Sequence, residues 1–300
     1  MSMMITDTAL IFEGGGMRAS YTAGALVTLM EESFGFQDVY GISAGSSHTV
    51  NYISGDIRRS KISFVDFMGT PGTSGWGGWL RGKGYFNAEY IYQRAAGPGQ
   101  KLEYNMQAFL ANPARPHIEA FERDTGRTVY WGKEDMPTTL DLMTRVRASS
   151  TMPIFMPPVT IGGQVYYDGG IGDSWGIPLA QAKRDGFRKF FIVCTQKRGY
   201  RKAKSAHPAA IRFLFGAHPI IAQRMLDRYE GYNAVLEEIA DLERRGDAYV
   251  FYPENMAVKN TTVDLPLLEA SYAEGYAQAQ RELPAWQEFL NVCHGGGDDA

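Results

Sequence analysis

The sequence predicts an α/β fold: an open, mostly parallel sheet flanked by helices in three layers. Two observations carry that expectation. A strand–loop–helix unit occurs twice within the first 55 residues, the repeat that a parallel sheet with crossover helices requires. Far downstream, Phe190-Phe191-Ile192-Val193 is an unbroken apolar run, the mark of a strand covered on both faces.

In the first unit Ala9 to Phe12 reads as a buried strand, followed by the loop Gly14-Gly15-Gly16. Ala19 to Glu31 then reads as a helix, with Tyr21, Leu26, Leu29 and Met30 on its apolar side. In the second unit Asp38-Val39-Tyr40 leads through Gly41-Ile42-Ser43-Ala44-Gly45 into a helix that runs to Ile53. Residues 69 to 87, rich in glycine and aromatics, read as a loop insertion. Thr128 to Trp131 is a predicted strand, and Thr138 to Ser149 a helix that stops before Met152-Pro153. Val165-Tyr166-Tyr167 is a strand ending in Asp168-Gly169-Gly170, and Arg188 to Thr195 is another. Residues 208 to 246 read as helical, Tyr249 to Tyr252 as a short strand, and Leu265 to Leu290 as a helix interrupted near Pro284. The expected organisation is a core over 1–204, a mainly helical C-terminal appendage packed on it over 205–292, and a disordered tail over 293–300.

Two of these turns carry chemistry. A Gly-x-Ser-x-Gly segment between strand and helix holds its serine on a strained turn, with the hydroxyl exposed at the sheet's edge. The flanking Gly41 and Gly45 are needed because a Cβ on either side would clash in so tight a turn. The triple glycine opens a helix, where unpaired backbone N–H groups can stabilise an oxyanion. One segment thus supplies a nucleophile and the other electrostatics. The glycines after Asp168 let the chain turn sharply and leave its carboxylate projecting from a strand end.

Four segments in order are Glu13-Gly14-Gly15-Gly16-Met17-Arg18, Gly41-Ile42-Ser43-Ala44-Gly45, Ala148-Ser149-Ser150 followed by Pro153, and Asp168-Gly169-Gly170. Together they resemble the patatin-like phospholipases, most closely the bacterial branch, over roughly residues 8 to 200. The resemblance implies a catalytic core of the patatin type in which a Ser–Asp dyad hydrolyses acyl esters. Carried over by position, it implies Ser43 as nucleophile and Asp168 as its base. It also implies an oxyanion hole on the Gly14–Met17 loop, with Gly15, Gly16 and Met17 as donors and Arg18 helping to hold the loop. The family loop commonly ends in glycine, where this chain has Ala19.

Composition bounds the rest. A net charge of −3 gives no global reason to expect nucleic-acid binding. Met1 to Thr8 lacks the features of a secretory signal, no apolar run is long enough for a membrane span, and Cys194 and Cys293 lie far apart. These point to a cytoplasmic, reducing location. The five histidines show no metal-ligand spacing, so neither metal nor cofactor is expected. Lys197, Arg198, Arg201, Lys202 and Lys204 follow a strand end, where they offer contact with a phosphate headgroup or an anionic membrane surface. The competing reading of that cluster is a solvated loop.

The leading function is a serine acyl hydrolase acting on phospholipid, lysophospholipid or simpler esters. Two alternatives stay open: a Ser–His–Asp α/β-hydrolase completed by His207 or His218, and an inactive lipid-binding or signalling protein. A dinucleotide-binding reading of Gly14-x-Gly16 is rejected. Ala19 stands where the third glycine belongs, and the next strand ends in the serine turn instead of an acidic residue.

Overall fold

Residues 4–68, 70, 72–75 and 84–292 are described by the computed structural model. In chain order they form β1 (Met4–Ile5), β2 (Thr8–Phe12), α1 (Ala19–Glu31), β3 (Gly35–Phe36), β4 (Asp38–Ile42), α2 (Ala44–Ser54), α3 (Ile57–Phe64), α4 (Met106–Ala111), β5 (Arg115–Glu122) and β6 (Thr128–Trp131). The order continues with α5 (Thr139–Ser149), β7 (Val159–Ile161), β8 (Gln164–Asp168), α6 (Leu179–Arg184), β9 (Lys189–Val193), α7 (Pro208–Leu214), α8 (Pro219–Arg244), β10 (Ala248–Phe251) and α9 (Leu265–Leu290).

The main sheet runs β10-β9-β2-β4-β5-β8-β7, with β6 also paired to β5. From β10 to β5 every pairing is parallel, while β6, β8 and β7 are antiparallel. Alternation along each strand feeds two cores. Leu10, Phe12, Phe191 and Val193 join one apolar cluster with Trp286 of α9, whereas Ala9, Ile11, Phe190 and Ile192 join another with Tyr232 and Ile239 of α8. Helices on both faces explain why Ala9 to Phe12 of β2 and Phe190 to Val193 of β9 are apolar runs instead of alternating.

Register brings the chemistry-bearing turns together. Phe12 lies opposite Gly41, so the glycine loop and the serine turn leave adjacent strands side by side. On β5, Glu119 pairs with Ile42 and Ala120 with Asp168. Ser43 and Asp168 therefore emerge from neighbouring rows, one on each side of β5.

Two sequence expectations change. Arg115–Glu122, in which no element was expected, is a central strand. The helix expected to be interrupted near Pro284 runs unbroken from Leu265 to Leu290. A helix-interior proline costs about 3 kcal/mol, but Trp286 and Leu290 beyond it are buried. Trp286 packs edge-on to Phe34, Phe191 and Phe251, and that burial outweighs the lost bond. The 205–292 segment contributes α8 and α9, which pack on the core, the largely exposed α7, and also β10, an edge strand of the main sheet. The expected tail 293–300, with Cys293, lies outside the described residues, as does part of the 69–87 loop. Cys194 is a buried free thiol.

Candidate active site

Ser43 sits at the N-terminus of α2 with φ 56° and ψ −123°, a strained geometry for a residue with a Cβ. The two glycines around it are sterically required. A methyl on Gly41 would lie 2.3 Å from the Gly45 carbonyl oxygen, and one on Gly45 would lie 2.2 Å from that of Phe12. The strain is held by hydrogen bonds. The Ser43 N–H donates to Ser149 Oγ at 3.0 Å, and Ser149 donates onward to the Glu119 carbonyl at 2.5 Å. Ser46 donates to the Ser43 carbonyl through its N–H at 2.9 Å and through its Oγ at 2.6 Å. Ser149 belongs to the Ala148-Ser149-Ser150 segment of the sequence, where it carried no assigned role; only the fold reveals that it clamps the turn.

Asp168 ends β8 beside Ser43. Its Oδ1 accepts from the Gly170 N–H at 2.7 Å, and its own N–H donates to the Thr151 carbonyl at 2.9 Å. Burial pushes its carboxyl above the usual range, opposed by the nearby Arg228 guanidinium, the Gly170 N–H and a side-chain hydrogen bond with Ser43. A carboxylate in this setting is more basic than one in water, yet retains a hydroxyl partner.

The glycine loop is more selective than its sequence suggests. The Gly14 N–H donates to the Gly176 carbonyl at 3.0 Å, that of Met17 to the Asn260 carbonyl at 3.0 Å, and that of Arg18 to the Gly15 carbonyl at 3.3 Å. These three amides are already engaged, that of Met17 among them, which the resemblance offers as a donor. Gly15 and Gly16 keep N–H groups with no protein acceptor among the described residues. Gly16 also adopts φ 55°, open to glycine at little cost.

Glu13 ties the loop to the neighbouring elements. The buried Glu13 carboxylate accepts from the Thr195 N–H at 2.5 Å and from Tyr232 Oη at 2.6 Å, and Thr195 Oγ1 donates to the Gly14 carbonyl at 3.1 Å. Arg18 makes no ion pair among the described residues. Its Nε is buried without a partner, and burial lowers its pKa.

Ser43 lines two cavities. One is a narrow apolar pocket of about 60 Å³ between α2, α3 and α5, bounded by Met17, Phe64, Met68, Met143, Val146 and Met156. The other is a polar cleft of about 510 Å³, bounded by Gly14–Gly16, Asp168, Arg18, Lys202 and Arg228. None of the histidines lines either cavity among the described residues. His48 is buried against Phe12 and Phe64, bonded to Thr22 Oγ1 at 2.9 Å, and burial has it pushed down to about 3.

The basic cluster does not act as a unit. Arg198 forms a bidentate pair with Glu243 at 2.6 and 2.7 Å, and Arg201 pairs with Glu237, both carboxylates on α8. Lys204 lies over the Tyr229 ring, Lys197 is exposed, and Lys202 turns into the cleft. No described helix is long and apolar enough to cross a membrane.

Comparison with known proteins gives these features a family. Residues 218–291 match a model described as Domain of unknown function (DUF6363). The curated Uncharacterized protein YjjU of Escherichia coli (strain K12) is 26% identical over 190 residues, covering 62% of this chain and 51% of that protein. The chain thus spans about half the length of that relative. Among solved structures, VipD from Legionella pneumophila aligns with a TM-score of 0.49 at 14% identity, covering 93% of this chain and 67% of that one. The model described as Patatin-like phospholipase matches residues 10–182, more than half of the sequence and all four of its motifs, and the chain belongs to that family.

Proposed function

We propose that this protein hydrolyses carboxylic esters of lipids through a Ser43–Asp168 dyad and an acyl-serine intermediate. One observation carries the reading. Ser43 stands on a strained turn where an apolar pocket meets a polar cleft, with a basic carboxylate beside it and two unspent N–H groups on the glycine loop that lines the same cleft. An ester whose acyl chain enters the pocket presents its carbonyl to Ser43 and its alcohol to the cleft.

In the first half-reaction Ser43 Oγ bonds to the carbonyl carbon as its proton passes to Asp168. The developing oxyanion accepts from the Gly15 and Gly16 N–H groups, a contribution typically worth ~3–4 kcal/mol per donor. Collapse breaks the carbon–oxygen bond to the alcohol, and Asp168 returns the proton to that oxygen. In the second half-reaction water attacks the acyl-serine, delivering a proton to Asp168. Ser43 recovers its proton as the acid leaves.

His207 and His218, the histidines of the Ser–His–Asp alternative, line neither cavity, which favours the dyad. Five methionines line the apolar pocket, and their flexible side chains can repack around chains longer than the present volume admits. On α7, whose Ile211 lines the cleft, Phe213 and Leu214 are 87% and 60% exposed, a natural point of contact with the surface of a lipid aggregate.

A fluorophosphonate probe tests the reading directly. The wild-type protein should be labelled on Ser43 and hydrolyse acyl esters, and Ser43→Ala should lose both properties while keeping its fold. Labelling elsewhere, with Ser43→Ala still active, would refute it.

A further inference from the structure

Among the described residues that line the apolar pocket beside Ser43, one is charged: Arg59, on α3. It is 7% exposed and makes no ion pair among the described residues. Its Nε donates to the Leu102 carbonyl at 3.1 Å and its Nη1 to Asn51 Oδ1, both neutral acceptors. Nη2 meets Met143 Sδ at 3.8 Å, a weak acceptor for a charged donor. The Tyr104 ring lies 5.0 Å from the guanidinium carbon and covers one face of it. Burial lowers the Arg59 pKa, and Asp56, which acts against that shift, is occupied in capping α3, where it accepts from the Arg59 backbone N–H at 2.8 Å. Asn51 keeps its Nδ2 buried without a partner, so the surroundings of the guanidinium are short of acceptors.

A buried charge without a counter-ion costs free energy, and the fold carries that cost before any ligand arrives. A ligand of opposite sign recovers part of it. A carboxylate suits a guanidinium best, with two oxygens to two N–H groups. Position along the pocket narrows the ligand further. Asn51 lies eight residues beyond Ser43 on α2, about 12 Å along the helix axis. The guanidinium bonded to it is thus placed for the far end of an acyl chain and not for the reacting carbonyl. We propose that Arg59 recognises a carboxylate at the far end of the acyl group, so that the preferred substrate is a half-ester of a dicarboxylic acid. The methionine-lined walls of the pocket then hold the methylenes between its two ends. This deepens the proposed hydrolase reading and rests on it for the ester, though not for the distal anion.

The test varies the ligand first and the protein second. With Ser43→Ala protein, calorimetry over the monomethyl esters from glutarate to azelate should find one that binds at least about tenfold more tightly than its carboxamide-ended analogue, which has the same shape without the charge, as a charge-assisted hydrogen bond implies. In the active enzyme, kcat/KM for that half-ester should exceed kcat/KM for the methyl-ended ester of equal length by a similar factor. Arg59→Met should abolish this ratio, and Arg59→Lys should reduce it severalfold while keeping its sign. A purely structural Arg59 would lower both esters alike and leave the ratio unchanged. No preference for carboxylate over carboxamide in either measurement would overturn the subsite, as would a ratio that survives in folded Arg59→Met, which would place the carboxylate elsewhere. Should Arg59→Met fail to fold, an unchanged ratio in Arg59→Lys overturns it equally. If no ester is hydrolysed but the Arg59-dependent binding is seen, the hydrolase reading falls and the distal subsite stands.

Discussion

Arg228→Gln separates the electrostatics of the site from its covalent chemistry. A methyl built on Gly170 would lie 2.8 Å from Asp168 Oδ1 and 2.9 Å from Arg228 Nη2, which bounds the two groups within about 6 Å of each other. At that distance and an effective dielectric of ~20, Coulomb's law gives ~3 kcal/mol in favour of the carboxylate. Solvent in the open cleft reduces this to roughly half, so about one pH unit remains. The sign follows from Asp168 acting as base. Burial already raises its pKa, and Arg228 pulls it back toward the ordinary value. Removing Arg228 lets the pKa climb, so the proton-accepting form appears only at higher pH. The assay is kcat/KM for a short neutral chromogenic ester, followed from about pH 4 to pH 9. The acid limb should move up by about one unit in Arg228→Gln and stay near the wild-type position in Arg228→Lys, with the high-pH plateaus within a few-fold. An acid limb that stays put, or moves down, would show that Asp168 is not the group titrating in catalysis.

Two further outcomes are expected. Asp168→Asn keeps the shape but abolishes the basicity, and should cost about 10²- to 10⁴-fold in kcat/KM, whereas folded His48, His207 or His218 variants should keep most of the turnover. Ser63→Phe would push a ring into the narrow apolar pocket that Ser63 lines. It should cut kcat/KM for long-chain esters by about tenfold or more relative to acetyl esters, since each excluded methylene is worth ~0.8 kcal/mol; equal loss across chain lengths would place the acyl chain elsewhere.

The legible parts of the fold were those where local chemistry and tertiary environment agree. Ala9 to Phe12 of β2 and Phe190 to Val193 of β9 are apolar because both faces are covered, and the glycines of the serine turn are dictated by backbone contacts under 2.5 Å that any Cβ would violate. β5 was illegible for the opposite reason. Its sequence, Arg115-Pro116-His117-Ile118-Glu119-Ala120-Phe121-Glu122, places two carboxylates in a central strand. Both are buried. Glu119 accepts from Tyr130 Oη at 2.7 Å, and desolvation has its carboxyl pushed up to about 8, so it sits largely neutral where a charge would be costly. Nothing in the neighbouring sequence announces that Tyr130 will donate to its Oε2 from the paired strand β6. The same holds for the site. Ser43, Asp168 and the glycine loop announce themselves through turn chemistry, but which loop amides stay free depends on Gly176 and Asn260, far away in sequence.

That dependence bears on how the C-terminal segment relates to the reaction. The patatin-like match ends at residue 182, yet the groups that finish the site lie beyond it. The Asn260 carbonyl accepts from the Met17 amide, Tyr232 anchors the Glu13 carboxylate beneath the glycine loop, and Arg228 faces Asp168. Tyr232 and Arg228 sit on α8, and both fall with Asn260 inside the 218–291 match of unassigned function. A helix that spaces Arg228 and Tyr232 four residues apart presents both on one face, so a single element reaches Asp168 and, through Glu13, the glycine loop at once. A displacement of α8 would therefore alter the basicity of Asp168 and the tether of the glycine loop together. We expect the two settings to move together, because Arg228 and Tyr232 are carried by the same helix.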